Sequence, residues 1–356
     1  MGFKYLKFFS YYFIASIGCL CLLLGGAWVL LGYISLVLFF IIGDAFFGDD
    51  LSTPNYAYPQ ILTGMLWLAL PIALLIVLCG VQVVAEEKIY LPVITDYQVA
   101  SNGVEVVVAV LFCGFMLGGV GTISAHELVH RVGDRISVTI GRWILALSFD
   151  ANFSIEHVYG HHRYVATAID PATAPRGRNV YSHIIHSTVK GNISAWNIEK
   201  RRLERRGVAL ISAHNRCLRG YFMSLTWLAA VWMAFGISGF LFAVAAGLIA
   251  KALLEIVNYM EHYGMLRDPK QRVMPHHSWN SNRRISSWCM FNLCRHSHHH
   301  AHGAVPFHKL NPMPEAPAMV SGYMATVFLT LIPPLWFALM RPKLAQWDRT
   351  YSRPTE

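Results

Sequence analysis

Five long stretches of this chain contain no Asp, Glu, Lys or Arg: residues 8–43, 51–85, 106–125, 221–250 and 316–340. A helix that crosses the hydrocarbon core of a bilayer needs about 20 apolar residues, so 106–125 predicts one crossing. Residues 60–84 predict another, entered after the polar, proline-containing Ser52-Thr53-Pro54-Asn55. The first stretch is too long for one crossing, and Gly25-Gly26 divides it into a hairpin. It is also too long for the core of a signal peptide, and no small-residue cleavage site follows it. Gly236-Ile237-Ser238-Gly239 interrupts the fourth stretch and predicts a second hairpin, 221–236 and 240–258. In the last stretch Pro333-Pro334 breaks the run and basic residues follow, so 316–340 predicts an interfacial or docked segment.

The pattern therefore predicts an all-α, multi-pass membrane protein with six transmembrane helices. It forms a single domain, 1–356: four crossings within 1–125, a cytoplasmic segment 126–220, a transmembrane hairpin 221–261, and a tail 262–356 that carries the docked segment. No internal repeat or low-complexity tract interrupts this plan.

Composition agrees. The chain is 55% hydrophobic and 14% charged, against about 25% charged residues in an ordinary soluble domain. Mean hydropathy is +0.42. This excludes a soluble globular domain and a disordered chain, and seven cysteines in 356 residues are too few for a disulfide scaffold. Charge sets the orientation. Of the 29 Lys and Arg, 27 lie before residue 8, within 126–220 or beyond residue 262, while the loop 86–102 holds only Lys88. By the positive-inside rule these basic segments face the cytoplasm from the cell (inner) membrane. A basic face of this kind attracts anionic lipid headgroups or an acidic protein partner. No nucleic-acid-binding fold is present to use it.

The candidate chemistry rests on histidine. All 17 lie at or beyond residue 126, and nine fall into four groups with ligand-type spacing. His126 and His130, in His126-Glu127-Leu128-Val129-His130, are an i, i+4 pair about 6 Å apart on one helix face. His157, His161 and His162 are an i, i+4, i+5 set. His262 ends Asn258-Tyr259-Met260-Glu261-His262. His296, His299 and His300 share a face, from which His298 points away. Neutral imidazoles crowded at a membrane interface are costly without a partner. Nine exceed the four ligands of a tetrahedral zinc and divide between two metal ions. Glu127, Glu156 and Glu261 each adjoin one of these histidines and are candidates for orienting an imidazole from behind, a surface salt bridge being the other reading. His183, His186 and His214, in a basic amphipathic stretch, read as surface or packing residues, and His276, His277, His302 and His308 as structural residues or supports behind the ligands.

With these strings in view, the chain resembles the integral-membrane non-haem di-iron monooxygenases of the alkane 1-monooxygenase (alkane hydroxylase) family, relatives of xylene monooxygenase and the membrane fatty acid desaturases. The resemblance covers about residues 40–345. It is carried by Asp44-Ala45-Phe46-Phe47-Gly48-Asp49, the His126-to-Arg131 box, the Glu156-to-His162 box running into Val165-Ala166-Thr167, Asn258 to Gly264, His277-Ser278-Trp279-Asn280-Ser281, and Arg295-His296-Ser297. Carried over by position, it implies that His126, His130, His157, His161, His162, His262, His296, His299 and His300 hold two iron ions, since imidazole alone would also suit zinc or copper. It further implies six transmembrane helices, a cytoplasmic site, and a hydrophobic chain substrate arriving from the bilayer. The implied reaction is dioxygen-dependent terminal hydroxylation, alkane to 1-alkanol. Two departures bear on the substrate. His298 stands where many alkane hydroxylases have Asp, and Val305-Pro306-Phe307-His308-Lys309-Leu310 stands where they usually read an Arg-Tyr-Gln-Ser-Leu-Arg-like string; the later Leu331-Ile332-Pro333-Pro334-Leu335-Trp336-Phe337 is nearer the xylene monooxygenase branch.

The seven cysteines form no CxxC pair, and no strand–GxGxxG–helix unit is present, so the electrons need a separate rubredoxin- or ferredoxin-type carrier with its reductase. Arg201, Arg202, Arg205 and Arg206 are candidates for docking it or for facing lipid. Gly118-Gly119-Val120-Gly121 lies inside a crossing and reads as helix packing. The competing readings are fatty-acid desaturation or oxidative decarboxylation to a 1-alkene, with Arg131, Arg163 or Arg295 meeting the carboxylate, and xylene-type methyl hydroxylation. An intramembrane zinc protease with Glu127 as base would leave most of the histidines idle. A metal transporter would spread them along a path through the membrane.

Overall fold

The computed structural model describes residues 2–85 and 97–351; most of the loop carrying Lys88 lies outside the described residues. The described residues are all-helical, with three isolated β-bridges and no strand among them. Helix α1 is Phe9–Leu24 and α2 is Ala27–Phe46. They part at Gly25 and Gly26, whose φ values of 71° and 52° only glycine adopts without strain. A Cβ at Gly25 would run into the carbonyl oxygen of Val99. Helix α3, Pro59–Val81, and α4, Gly103–His130, follow. Asn102 caps α4 through a capping box with Glu105.

Among the described residues, four helices are long and apolar enough to cross a membrane: α2, α3, α4 and α7, Arg216–His262. Helix α1 is apolar but shorter. The chain is thus a membrane protein by length and composition. At 1.5 Å per residue, a straight α7 would be roughly 70 Å long, more than twice a hydrocarbon core of about 30 Å. Gly236, with φ 64° and ψ −162°, interrupts it where the sequence predicts a hairpin. Before α7 come α5, Arg135–Leu147, and α6, Val180–Glu204.

The chain folds into two interleaved compact units. The first comprises Met1–Phe39, Tyr56–Ser154 and Glu199–Leu254. Its helices pack closely where side chains are small. A Cβ on Gly118 would approach Leu253 of α7 to 2.8 Å and one on Gly121 would approach Ile144 to 3.0 Å, so these two serve helix packing as the sequence predicts, whereas Gly119 faces open space; Gly114, which the sequence does not single out, would meet Ile249 at 2.6 Å. The buried ion pair Lys251–Asp150, 2.7 Å, adds a polar tie.

The second unit comprises Phe40–Asn55, Ile155–Ile198 and Glu255–Glu356. Here α8 is His296–Ala301, α9 is Tyr323–Thr330 and α10 is Pro333–Tyr351. Pro333 opens α10, a first-turn position that needs no backbone N–H. Trp336, Met340, Leu344 and Trp347 form its buried stripe, with Trp336 against the rings of Tyr259 and Tyr263 of the same unit. The 44–49 string is tied to the same unit. Asp44 accepts hydrogen bonds from the Ser286 backbone (3.0 Å), the Ser286 hydroxyl (2.6 Å) and the Tyr323 backbone (3.1 Å).

Candidate metal centre

His126 and His130 end α4 within the first unit, their ring centroids 4.9 Å apart. The turn before them, Leu117–Thr122, is π-helical, a widening found most often at functional sites. Its Val120 carbonyl accepts a 2.6 Å hydrogen bond from the buried Tyr11 hydroxyl. Glu127 pairs with Arg131 at 3.0 Å, the salt-bridge reading of that carboxylate.

The other seven histidines meet in the second unit. A second π-helical turn, His157–His161, carries the first of them. In an α-helix positions i and i+5 lie about 140° apart; the wider turn carries the His162 N–H onto the His157 carbonyl and sets the two Nε2 atoms 3.2 Å apart. His299 joins them, and the ligand nitrogens of these three lie within 4.8 Å of one another. His161 turns the other way. With His262 and His300 it forms a second group of the same tightness, its Nε2 3.3 Å from that of His300. His262 in turn faces His296, Nε2 to Nε2, at 3.1 Å. The i, i+4, i+5 box is therefore divided between two groups.

All of these rings but the half-buried His162 are buried, and several are held from behind. His161 presents Nδ1 to the Asp170 carboxylate at 2.9 Å, leaving Nε2 to face His262 and His300. Asp170 itself accepts from the Thr173 hydroxyl (2.6 Å) and the Ala172 N–H (3.1 Å). Arg295, buried one residue before His296, donates to the carbonyls of Asp50 (2.7 Å), Ser52 (3.0 Å) and Leu310 (2.6 Å) and so fixes where α8 begins. Glu261 stands differently from Asp170. Its Oε2 lies 3.2 Å from Nε2 of His296, on the side that faces the other ligands, and it forms a ligand-type group with His262 and His296. Its Oε1 accepts a 2.8 Å hydrogen bond from the buried Tyr323 hydroxyl. Burial, reinforced by the Asp170 carboxylate, pushes Glu156 up to about 8.

The donor set suits a metal. Nε2 atoms confront one another at 3.1–3.3 Å in three pairs, two of them fully buried. That is close to the edge of a coordination polyhedron with nitrogens about 2.0–2.1 Å from its centre. A single N–H can satisfy one such pair; a cation satisfies every lone pair at once.

The histidines read as structural lie elsewhere. His298 packs against His302 and approaches Asn311 at 3.4 Å. His183 sits against the Tyr259 ring, and burial pushes it down to about 4. His277 accepts from the Met274 N–H, and burial pushes it down to about 3. Two residues at this site have no sequence signal of their own. Asp170 follows its histidine by nine positions and Tyr323 follows Glu261 by 62, spacings that no helix periodicity links. The only hint of Asp170 is that an acidic residue lies just beyond the box.

Comparison with known proteins gives this geometry a context. The pattern that defines the fatty acid desaturase family matches residues 103–339. The chain is 38% identical over 240 residues to alkane 1-monooxygenase 1 of Pseudomonas aeruginosa, covering 66% of this chain and 63% of that protein. It is 37% identical over 230 residues to alkane 1-monooxygenase of Acinetobacter baylyi, covering 63% and 56% respectively. It is also 36% identical over 242 residues to the xylene/toluene monooxygenase hydroxylase component of Pseudomonas putida, covering 67% and 65%. Each match spans less than two thirds of the relative's length.

Proposed function

Because the chain belongs to the fatty acid desaturase family, we propose that it is a membrane-bound non-haem di-iron monooxygenase that hydroxylates the terminal carbon of an aliphatic chain, alkane to 1-alkanol. The observation that carries this reading is the meeting of seven imidazoles, six of them buried, in the second unit: two tight groups of three, with His296 facing His262 Nε2 to Nε2. His126 and His130 complete the proposed ligand set. Two iron ions held there supply dioxygen activation and oxidation of an unactivated C–H bond. The reading takes the chain as one oxygenase domain with six crossings in the inner membrane and its histidines on the cytoplasmic side, reached by substrate from the bilayer. A separate rubredoxin- or ferredoxin-type carrier with its reductase delivers the electrons.

The chain's own residues have definable tasks in this reaction. Asp170 keeps the proton of His161 on Nδ1, so Nε2 offers a lone pair. Tyr323 holds the Glu261 carboxylate against His296. Burial of both groups excludes water from the reacting centre. Two of the three cations considered for a fatty-acid carboxylate are already engaged, Arg131 with Glu127 and Arg295 with three backbone carbonyls. This favours a hydrocarbon over a fatty acid. Similarity to the xylene/toluene component keeps methyl hydroxylation of an alkylbenzene as the second reading.

The decisive experiment combines metal quantification with product analysis. Membranes containing the chain, supplied with a carrier, its reductase and oxygen, would be offered an alkane, an alkylbenzene and a medium-chain fatty acid. Two irons per chain and a 1-alkanol are expected. A benzylic alcohol alone would select the second reading, a 1-alkene the fatty-acid reading, and one zinc without iron would remove the oxygenase assignment.

A further inference from the structure

A basic cavity of about 200 Å³ lies in the first unit just ahead of α7. Arg202, Arg206, Arg216, Arg219 and His214 line it with three small or aliphatic residues, and no carboxylate borders it. Beneath it, the fully buried Glu199 grips two of the four guanidinium groups. Arg202 donates to it at 2.6 and 2.8 Å, and Arg216 through its side chain at 2.9 Å and its backbone at 2.7 Å. Arg202 also donates to the His214 carbonyl at 2.7 Å. Burial acts to raise the Glu199 pKa, but the hydrogen bonds from Arg202 and Arg216 outweigh it and hold the group at about 2. One carboxylate thus fixes two arginines while cancelling one charge of four. Among the described residues, neither Arg206 nor Arg219 has an ion-pair partner, and both are exposed.

We propose that this cavity binds the phosphate of an anionic phospholipid. Convergent guanidinium groups match the geometry of phosphate oxygens, and an arginine cluster at the cytoplasmic end of a transmembrane helix is where anionic headgroups lie. What selects a lipid over a soluble anion is the surface that follows. Three residues beyond Arg219 an exposed apolar face begins on α7: Phe222 is 70% exposed, Leu225 64% and Met233 82%. These positions recur at helical spacing and offer acyl chains a track leading away from the headgroup. A cavity of 200 Å³ takes a phosphate-sized group, whereas an acidic carrier protein calls for a broad, open patch. The proposal rests on the reading that the first half of α7 enters the membrane from the cytoplasmic side.

The test uses the full chain in detergent, with lipid retention read by native mass spectrometry. Wild type should retain phosphatidylglycerol about tenfold better than phosphatidylcholine. The double variant Arg206→Gln/Arg219→Gln should lose that preference, while Arg206→Lys/Arg219→Lys, which keeps the charge, should keep most of it. Both side chains are exposed, so neither variant threatens the fold. Equal retention of the two lipids by wild type, or an undiminished preference in the Gln variant, overturns the proposal. Complete displacement of phosphatidylglycerol by equimolar inorganic phosphate would mark a soluble-anion site and also overturn it. So would a Gln variant that keeps its lipid preference but loses carrier-driven turnover, which would mark a docking face. Carbonate extraction of membranes tests the placement separately: recovery of the wild-type chain in the soluble fraction removes the membrane reading, whatever the lipid titration gives.

Discussion

Asp170 shows how much a single residue behind a ligand decides. Its carboxylate fixes the tautomer of His161. Asp170→Asn keeps the shape but allows the amide to donate to Nδ1, which moves the imidazole proton to Nε2. Metal affinity should fall about 10- to 100-fold, measurable by iron titration of the purified chain. Tyr323→Phe tests a different support, the hydroxyl that donates to buried Glu261. Removing it should cost about 1–3 kcal/mol of stability, read as a lower unfolding temperature at unchanged helical content. That the histidines gather was legible in their ligand-type spacing. Their supports were not. Asp170 and Tyr323 reach the site through tertiary packing, which leaves no mark on residue order. Glu261 was legible as a neighbour of His262, but only the side chain's direction sets it among the ligands instead of behind them.

Among the helices, breaks were easier to read than windings. Gly25-Gly26 and Gly236 punctuate apolar runs that are too long for one crossing, and each adopts a positive φ. Gly25→Ala should cost about 1–3 kcal/mol for the backbone conformation alone, with the collision against the Val99 carbonyl adding to it. Gly64→Ala, on α3 with open space around it, is the control and should be near neutral. Thermal unfolding of both variants in the same detergent checks the difference. The two π-helical turns left no such trace, since a helix widened by one residue keeps the composition of an α-helix. The spacing therefore groups His157, His161 and His162 as one set, whereas the observed winding sets His157 with His162 and turns His161 to another group.

For the molecule as a whole, the buried imidazoles make metal a stability determinant. Chelation should lower the unfolding temperature and ferrous iron should restore it. A ligand at 100 times its Kd contributes about 2.7 kcal/mol, enough to read by thermal scan; an unchanged midpoint after verified metal removal would contradict the buried-ligand geometry. The division into two interleaved units was not visible in the sequence, because each unit gathers three separated stretches and hydropathy records only local burial. That interleaving has a consequence for biosynthesis. With the proposed ligands, the second unit draws its histidines from residues 157–162, then 262, then 296–300, so a ribosome must deliver residue 300 before this cage can close. Until then, on that reading, the early imidazoles emerge as an unfinished chelator.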